Sequence, residues 1–289
     1  MSIPRSSRAQ AESTLRNARI VAALDRAIAE GDTRDLFDQL GRNSGLPGPR
    51  PNIDLARVVG LTLATHGKRA DPALRELIAD EGEYPRIVAA MTLAARYLAG
   101  HDPKAALAGL QDVAEDARVG VRQGVIEALR TLLLAKGEPF VGELAAWTDG
   151  YLQAHVVLEA LTDRTILDSL HNAEPILARL DEAFALADKS PRAAERSQGV
   201  RTLRDRMPGQ IAALAARFPE TITWIERVSR IQRPESRKVV DEAIGALRKD
   251  RISNAEAKRL VDLLVASARP DRNAAKIVPG TRKRSKGRR

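Results

Sequence analysis

The sequence predicts an all-α protein built from stacked pairs of antiparallel helices. Three observations predict it. Ala, Leu and Arg abound while aromatic residues make up only 3% of the chain, a balance that favours helix over strand. Apolar residues recur at helical rather than alternating spacing. Proline-marked helix starts return at a near-constant interval, as in repeat architectures.

The bulk numbers set the frame. The chain has 289 residues, 44% of them apolar and 29% charged, the profile of a folded chain. There is no cysteine, which excludes disulfides, thiolate nucleophiles and cysteine-based zinc sites. The opening MSIPRSSRAQ carries no apolar stretch behind its charges, so no signal peptide is expected. No run approaches the ~18 apolar residues of a membrane span, and a cytoplasmic protein is expected. The net charge of +9 is local: seven basic residues and no acid lie between Lys276 and Arg289, and the remainder carries only +2.

The repeat marker is an acid–proline pair opening a helix. It occurs at Asp71-Pro72, Asp102-Pro103, Glu138-Pro139 and Glu174-Pro175, with a weaker copy at Phe218-Pro219-Glu220. The prolines are spaced by 31, 36, 36 and 44 residues. Proline is accepted in the first helical turn, where its missing N–H has no partner to lose, and a neighbouring acid faces the positive end of the helix dipole. Behind these starts come apolar stripes such as Ile176, Leu177, Leu180 and Phe184. Second helices follow, one with Val121, Val125, Leu129 and Leu132, another with Val239, Ala243, Ile244 and Leu247. Breaks such as Gly82-Glu83-Tyr84-Pro85 supply the turns.

Asp116 and Arg122 stand six apart, with Val121 before the arginine. This arrangement resembles the HEAT-repeat superfamily, in which the second helix is preceded by an Asp and carries a Val-Arg pair. The resemblance covers roughly residues 55–268 and implies a right-handed α-solenoid, with Asp116 and Arg122 forming a ladder contact between repeats. Other units depart from the pattern: His155 stands six after Asp149, and Ala89 six after Glu83. Around the repeats, residues 1–40 read as an N-terminal helical cap with a break at Gly31-Asp32, and 41–54 as a Gly/Pro-rich link. Residues 269–289 read as a disordered basic tail.

Catalytic signals are absent. There is no Gly-rich phosphate loop and no GK[ST] sequence. The histidines His66, His101, His155 and His171 show no metal-ligand spacing, three of them standing near expected helix ends. No metal, cofactor or catalytic residue is expected, and binding is favoured over enzymology.

Basic residues offer the binding candidates. Arg192, Arg201, Arg204 and Arg206 form a cluster with few acids, and Arg237 and Lys238 lie in a later second helix. The resemblance places second helices on the concave face, where such side chains would contact phosphates; a structural role for each is the alternative. Arg196 projects onto an apolar helical face and reads as a structural bridge. In the tail, Arg282, Lys283 and Arg284 belong to a cluster that attracts polyanions without reading sequence. Gly120 and Gly124 read as sites of close helix packing. Trp147, Tyr151 and Trp224 are candidate groove aromatics, though the tryptophan spacings also suit a core. More remotely, HEAT-like alkylpurine DNA glycosylases use tryptophans and an Asp in a groove, here matched only loosely by Trp147, Asp149 and Trp224.

Three functions follow as expectations. The first is a HEAT-like protein engaging duplex DNA through a concave Arg-rich face and the tail. The others are a protein–protein scaffold and a glycosylase for alkylated bases.

Overall fold

The computed structural model describes residues 18–48, 50–248 and 252–268. Among them are fifteen α-helices and no strand. The N-terminal pair is α1 (18–29) and α2 (Arg34–Asn43), broken at Gly31 as expected. A link from 44 to 52 leads into α3 (Ile53–Thr65), whose first turn is capped by Asn52 accepting from the Leu55 N–H at 3.1 Å. The basic tail lies outside the described residues.

Each proline marker sits at a helix start. Pro72 is in the first turn of α4 (Asp71–Ala79), Pro103 opens α6 (Pro103–Ala114), and Pro139 is in the first turn of α8 (Glu138–Glu143). Pro175 lies in the first turn of α11 (Ala173–Asp188), and Pro219 caps α13 (Glu220–Val228). Between these come the second helices α5 (Glu83–Ala99), α7 (Val119–Lys136), α9 (Tyr151–Leu161), α12 (Gln198–Arg217) and α14 (Pro234–Leu247). A short α10 (Arg164–Ser169) joins α9 to α11, and α15 (Asn254–Ala266) follows α14.

The helices pack in two series. Along one, α3 packs on α5, α5 on α7, α7 on α9, α9 on α12 and α12 on α14; we call this the long row. The others pack beside it, α4 and α6 on α5, α11 on α9 and α12, and α15 on α14. Burial follows. α5 is covered on nearly every side, with Ile87, Val88, Ala89 and Ala90 fully enclosed. By contrast α13 buries one stripe, Trp224, Ile225 and Val228, and exposes Arg227, the pattern of a surface helix.

Glycine sets the closest approaches in the long row. A Cβ on Gly124 would meet Ile87 Cγ2 at 2.9 Å, and one on Gly60 would meet the Met91 and Thr92 backbone at 2.8 Å. Gly124 is therefore a packing glycine. A Cβ on Gly120 would instead overlap the flexible Glu83 carboxylate.

The expected Asp116–Arg122 ladder pair does not form; Asp116 bridges neighbouring units through other partners. Arg122 does not bond the Asp116 carboxylate; its Nη1 donates to the backbone carbonyls of Asp116 (2.8 Å) and Ala117 (2.7 Å). The carboxylate takes Arg118 of its own unit, through Nε at 2.8 Å, and Arg86 of the preceding second helix, through Nη1 at 2.8 Å. Asp80 and Arg86 reproduce the same device one unit earlier. Arg86 Nε donates to the Asp80 carbonyl at 3.1 Å, and Asp80 Oδ1 accepts from the Gly82 N–H as Asp116 Oδ1 does from that of Arg118.

Two outcomes are expected in urea denaturation. Gly124→Ala and Gly60→Ala should each cost roughly 1–3 kcal/mol by overpacking, whereas Gly209→Ala, with nothing within 4 Å, should be neutral or stabilise by up to ~1 kcal/mol. Asp116→Ala should cost about 2–4 kcal/mol, since it strands two guanidinia around a carboxylate only 5% exposed; Arg57→Ala, from an exposed pair, should cost under ~1 kcal/mol.

Candidate binding groove

Three of the six candidate cationic residues that the structure describes have partners inside the chain. Arg204 donates to the Ala187 carbonyl at 2.6 Å, to Ser190 Oγ at 2.9 Å and to Glu195 at 2.5 Å. Arg237 donates to the Ile231 carbonyl at 2.9 Å and also to that of Leu264. Lys238 stands 3.6 Å from Glu242 on an exposed surface. Arg192, Arg201 and Arg206 are exposed. Arg282, Lys283 and Arg284 lie outside the described residues. Arg196 is not on an apolar helical face: it sits exposed in the turn before α12, so the helical projection does not apply there.

The aromatic candidates are part of the core. Trp147 lies in a 3-10 turn, Ala145–Asp149, and is 1% exposed. Trp224 is 4% exposed, packs edge-on against Phe184, and donates its indole N–H to Asp181 Oδ1 at 3.1 Å. Neither indole is open to a ligand. Tyr151 is half-buried and packs against Gly199 at the start of α12.

What the long row presents instead is a groove. Its wider part, about 1020 Å³, lies between the 44–52 link and the first turns of α5 and α7. Leu46, Pro51, Ile53 and Val119 supply apolar walls, and Glu83 and Glu127 supply carboxylates, with Arg50 also on the lining. The two ends of the link are tied together and to α5. The Asn52 N–H donates to the Ser44 carbonyl at 2.7 Å, and the Tyr84 hydroxyl donates to the Asn52 carbonyl at 2.6 Å. Burial pushes the Tyr84 pKa up, so that donor stays protonated.

A narrower cleft of about 230 Å³ continues across α7, α9 and α12, sharing Val119 and Gln123 with the first. His155, Glu159, Thr202, Asp205 and Arg206 line it. Val119, where the two parts meet, is 69% exposed. Sequence reasoning missed this site because the link that forms its wall reads only as irregular chain. The spacing of Val119, Gln123, Ile126 and Glu127 along one face of α7 was the available signal.

The groove's hydrogen-bonding groups are mixed: the carboxylates Glu83, Glu127, Glu159 and Asp205 stand with the guanidinia Arg50, Arg122 and Arg206. Gln123 donates to Glu127 at 2.9 Å and Gln198 to the Ala117 carbonyl at 2.9 Å, which leaves their amide oxygens as acceptors. Glu127 also takes Arg130 at 2.7 Å, and Glu159 takes Gln210 at 2.9 Å. His155 is 7% exposed, and burial pushes its pKa down to about 4 despite Glu159 nearby, with Arg122 and Arg206 adding to the effect. It is therefore neutral at physiological pH.

Comparison of the chain with family models, with curated proteins and with solved structures finds no match. The fold and the groove define the class as far as it goes: an all-α protein with an open, preformed groove along one series of helices. No helix among the described residues is long and apolar enough to cross a membrane.

His155 gives the groove a pH signature. The unfolded chain takes up a proton near the ordinary value of 6.5, the native chain only near 4. The stability contributed by the neutral imidazole is therefore complete above about 6.5 and is lost as pH falls toward 4, on the order of 3 kcal/mol in total. His155→Gln should flatten the stability profile between those limits. It should leave the further loss at lower pH, where Asp116 and Glu195, both held near 2 by arginine hydrogen bonds, take up protons.

Proposed function

We propose that the chain is a non-enzymatic, cytoplasmic HEAT-like α-solenoid, right-handed in its winding, that binds an extended polypeptide in the groove of the long row. The observation that carries this reading is the composition of that groove. An exposed valine stands at its centre, apolar walls flank it, and four carboxylates stand against three guanidinia along it. Phosphate carries acceptors only, and of the three guanidinia Arg122 is buried on backbone carbonyls, which leaves a nucleic-acid backbone Arg50 and Arg206. A polypeptide offers both donors and apolar side chains, and the pinned link lowers the cost of ordering the site on binding.

Duplex DNA remains a second reading because Arg192, Arg201 and Arg206 are exposed and the tail residues Arg282, Lys283 and Arg284 add charge. It would weaken steeply with salt. The glycosylase reading has no support in a chain whose two tryptophans are both buried.

The test is selection of binders to the full-length protein from a displayed library of random peptides, beside titration with labelled duplex DNA. Peptide binding should survive about 0.5 M salt and fall at least ~10-fold with Val119→Arg placed at the groove centre. The reading fails if peptides bind equally to Val119→Arg, or if only DNA binds and does so through Arg192, Arg201 and Arg206.

A further inference from the structure

The groove also carries information about which polypeptide it holds. Glu83 and Glu127 lie on the same cleft as Leu46, Pro51, Ile53 and Val119. Glu83 begins α5 and makes no side-chain hydrogen bond among the described residues. Glu127 takes both of its hydrogen bonds on Oε1, which leaves Oε2 open. Gln123, between the two carboxylates and the second cleft, has its amide nitrogen turned to Glu127 and its oxygen left as an acceptor. On the cleft lining Glu83 and Glu127 stand with one cation, Arg50; Arg130 pairs with Glu127 from beside it at 2.7 Å, which leaves Glu83 as the open acid of the cleft.

From this juxtaposition we propose that the occupant is an extended segment of a partner protein carrying lysine or arginine beside an aliphatic residue. The aliphatic side chain covers Val119, where the two clefts join, and the cationic side chains meet Glu83 and Glu127. Backbone N–H groups of the segment donate to the amide oxygens of Gln123 and Gln198. The length is consistent. From α3 to α12 the groove crosses four helix-to-helix steps of the long row, and at about 8–10 Å per step this matches roughly ten residues of extended chain. A nucleic acid fits none of these pairings, and an acidic segment would set carboxylate against carboxylate.

This inference rests on the polypeptide reading above, and the experiment separates the two. Three labelled peptides of about twelve residues share their Leu and Ser positions and differ only in carrying Lys, Gln or Glu at the remaining ones. Their binding to the full-length protein is followed by fluorescence anisotropy. The Lys peptide should bind at least ~10-fold more tightly than the Gln peptide, and the Glu peptide more weakly than either. Glu83→Gln with Glu127→Gln should cut the Lys advantage to under ~3-fold, and a cooperative urea transition shows that the variant is folded. Glu83→Lys alone should move the preference toward the Glu peptide. Equal binding of all three peptides, or a Lys advantage that survives in the double variant, overturns the charge inference and leaves the polypeptide reading standing. Failure of all three to bind overturns both.

Discussion

A helix ends with carbonyls that have no partner in its own ladder, and a protein made of many short helices multiplies that debt at every turn. In this chain arginine meets it. Arg86 bonds the Asp80 carbonyl, Arg96 that of Gly67, and Arg122 those of Asp116 and Ala117. Further along, Arg204 bonds Ala187, Arg217 bonds Leu167 and Leu170, Arg233 bonds Asp188, and Arg237 bonds Ile231 and Leu264. These carbonyls belong to helix C-terminal turns or the residues just beyond. There the macrodipole favours a cation, and a planar guanidinium can reach two acceptors together. In five of these residues the acceptor lies on another element, so one side chain ends a helix and ties it to the next.

That commitment shapes what remains for binding. Guanidinia turned onto backbone carbonyls, Arg122 of the groove among them, are not available to phosphates. Asp116 shows the same economy. Its carboxylate joins Arg118 to Arg86 of the preceding second helix, so a single buried acid holds two units in register. The close approaches at Gly60 and Gly124 then bring α3, α5 and α7 together beneath the groove, and the link pinned by Tyr84 forms its wall.

Much of the fold is legible in the chain, and the reasons are local. Proline and acid in a first turn act through the backbone of that turn alone, so all five starts are visible in the sequence. So are the apolar stripes behind them and the packing role of Gly124. The ladder was half legible: the spacing of Asp116 and Arg122 is there, but the acceptors of Arg122 are backbone carbonyls, which no residue letter announces. For the same reason the matching pair Asp80 and Arg86 escaped notice beside the more obvious Glu83. Arg196 falls on an apolar face only if its segment is helical, and residues 192–196 are a turn. The groove was the least visible part, because its wall depends on a hydroxyl meeting a carbonyl 32 residues away, and such contacts leave no periodic mark.

The central claim is that these carbonyl-bound arginines are structural clamps whose geometry, not charge alone, is needed. Replacing Arg122, Arg204, Arg217 and Arg237 together by lysine keeps every charge and removes the planar fork. The unfolding free energy of this variant, measured by denaturant titration against the parent, should fall by several kcal/mol, at about 1 kcal/mol for each hydrogen bond lost. An unchanged unfolding free energy would mean that the clamps are incidental and that the arginines are held for something outside the chain.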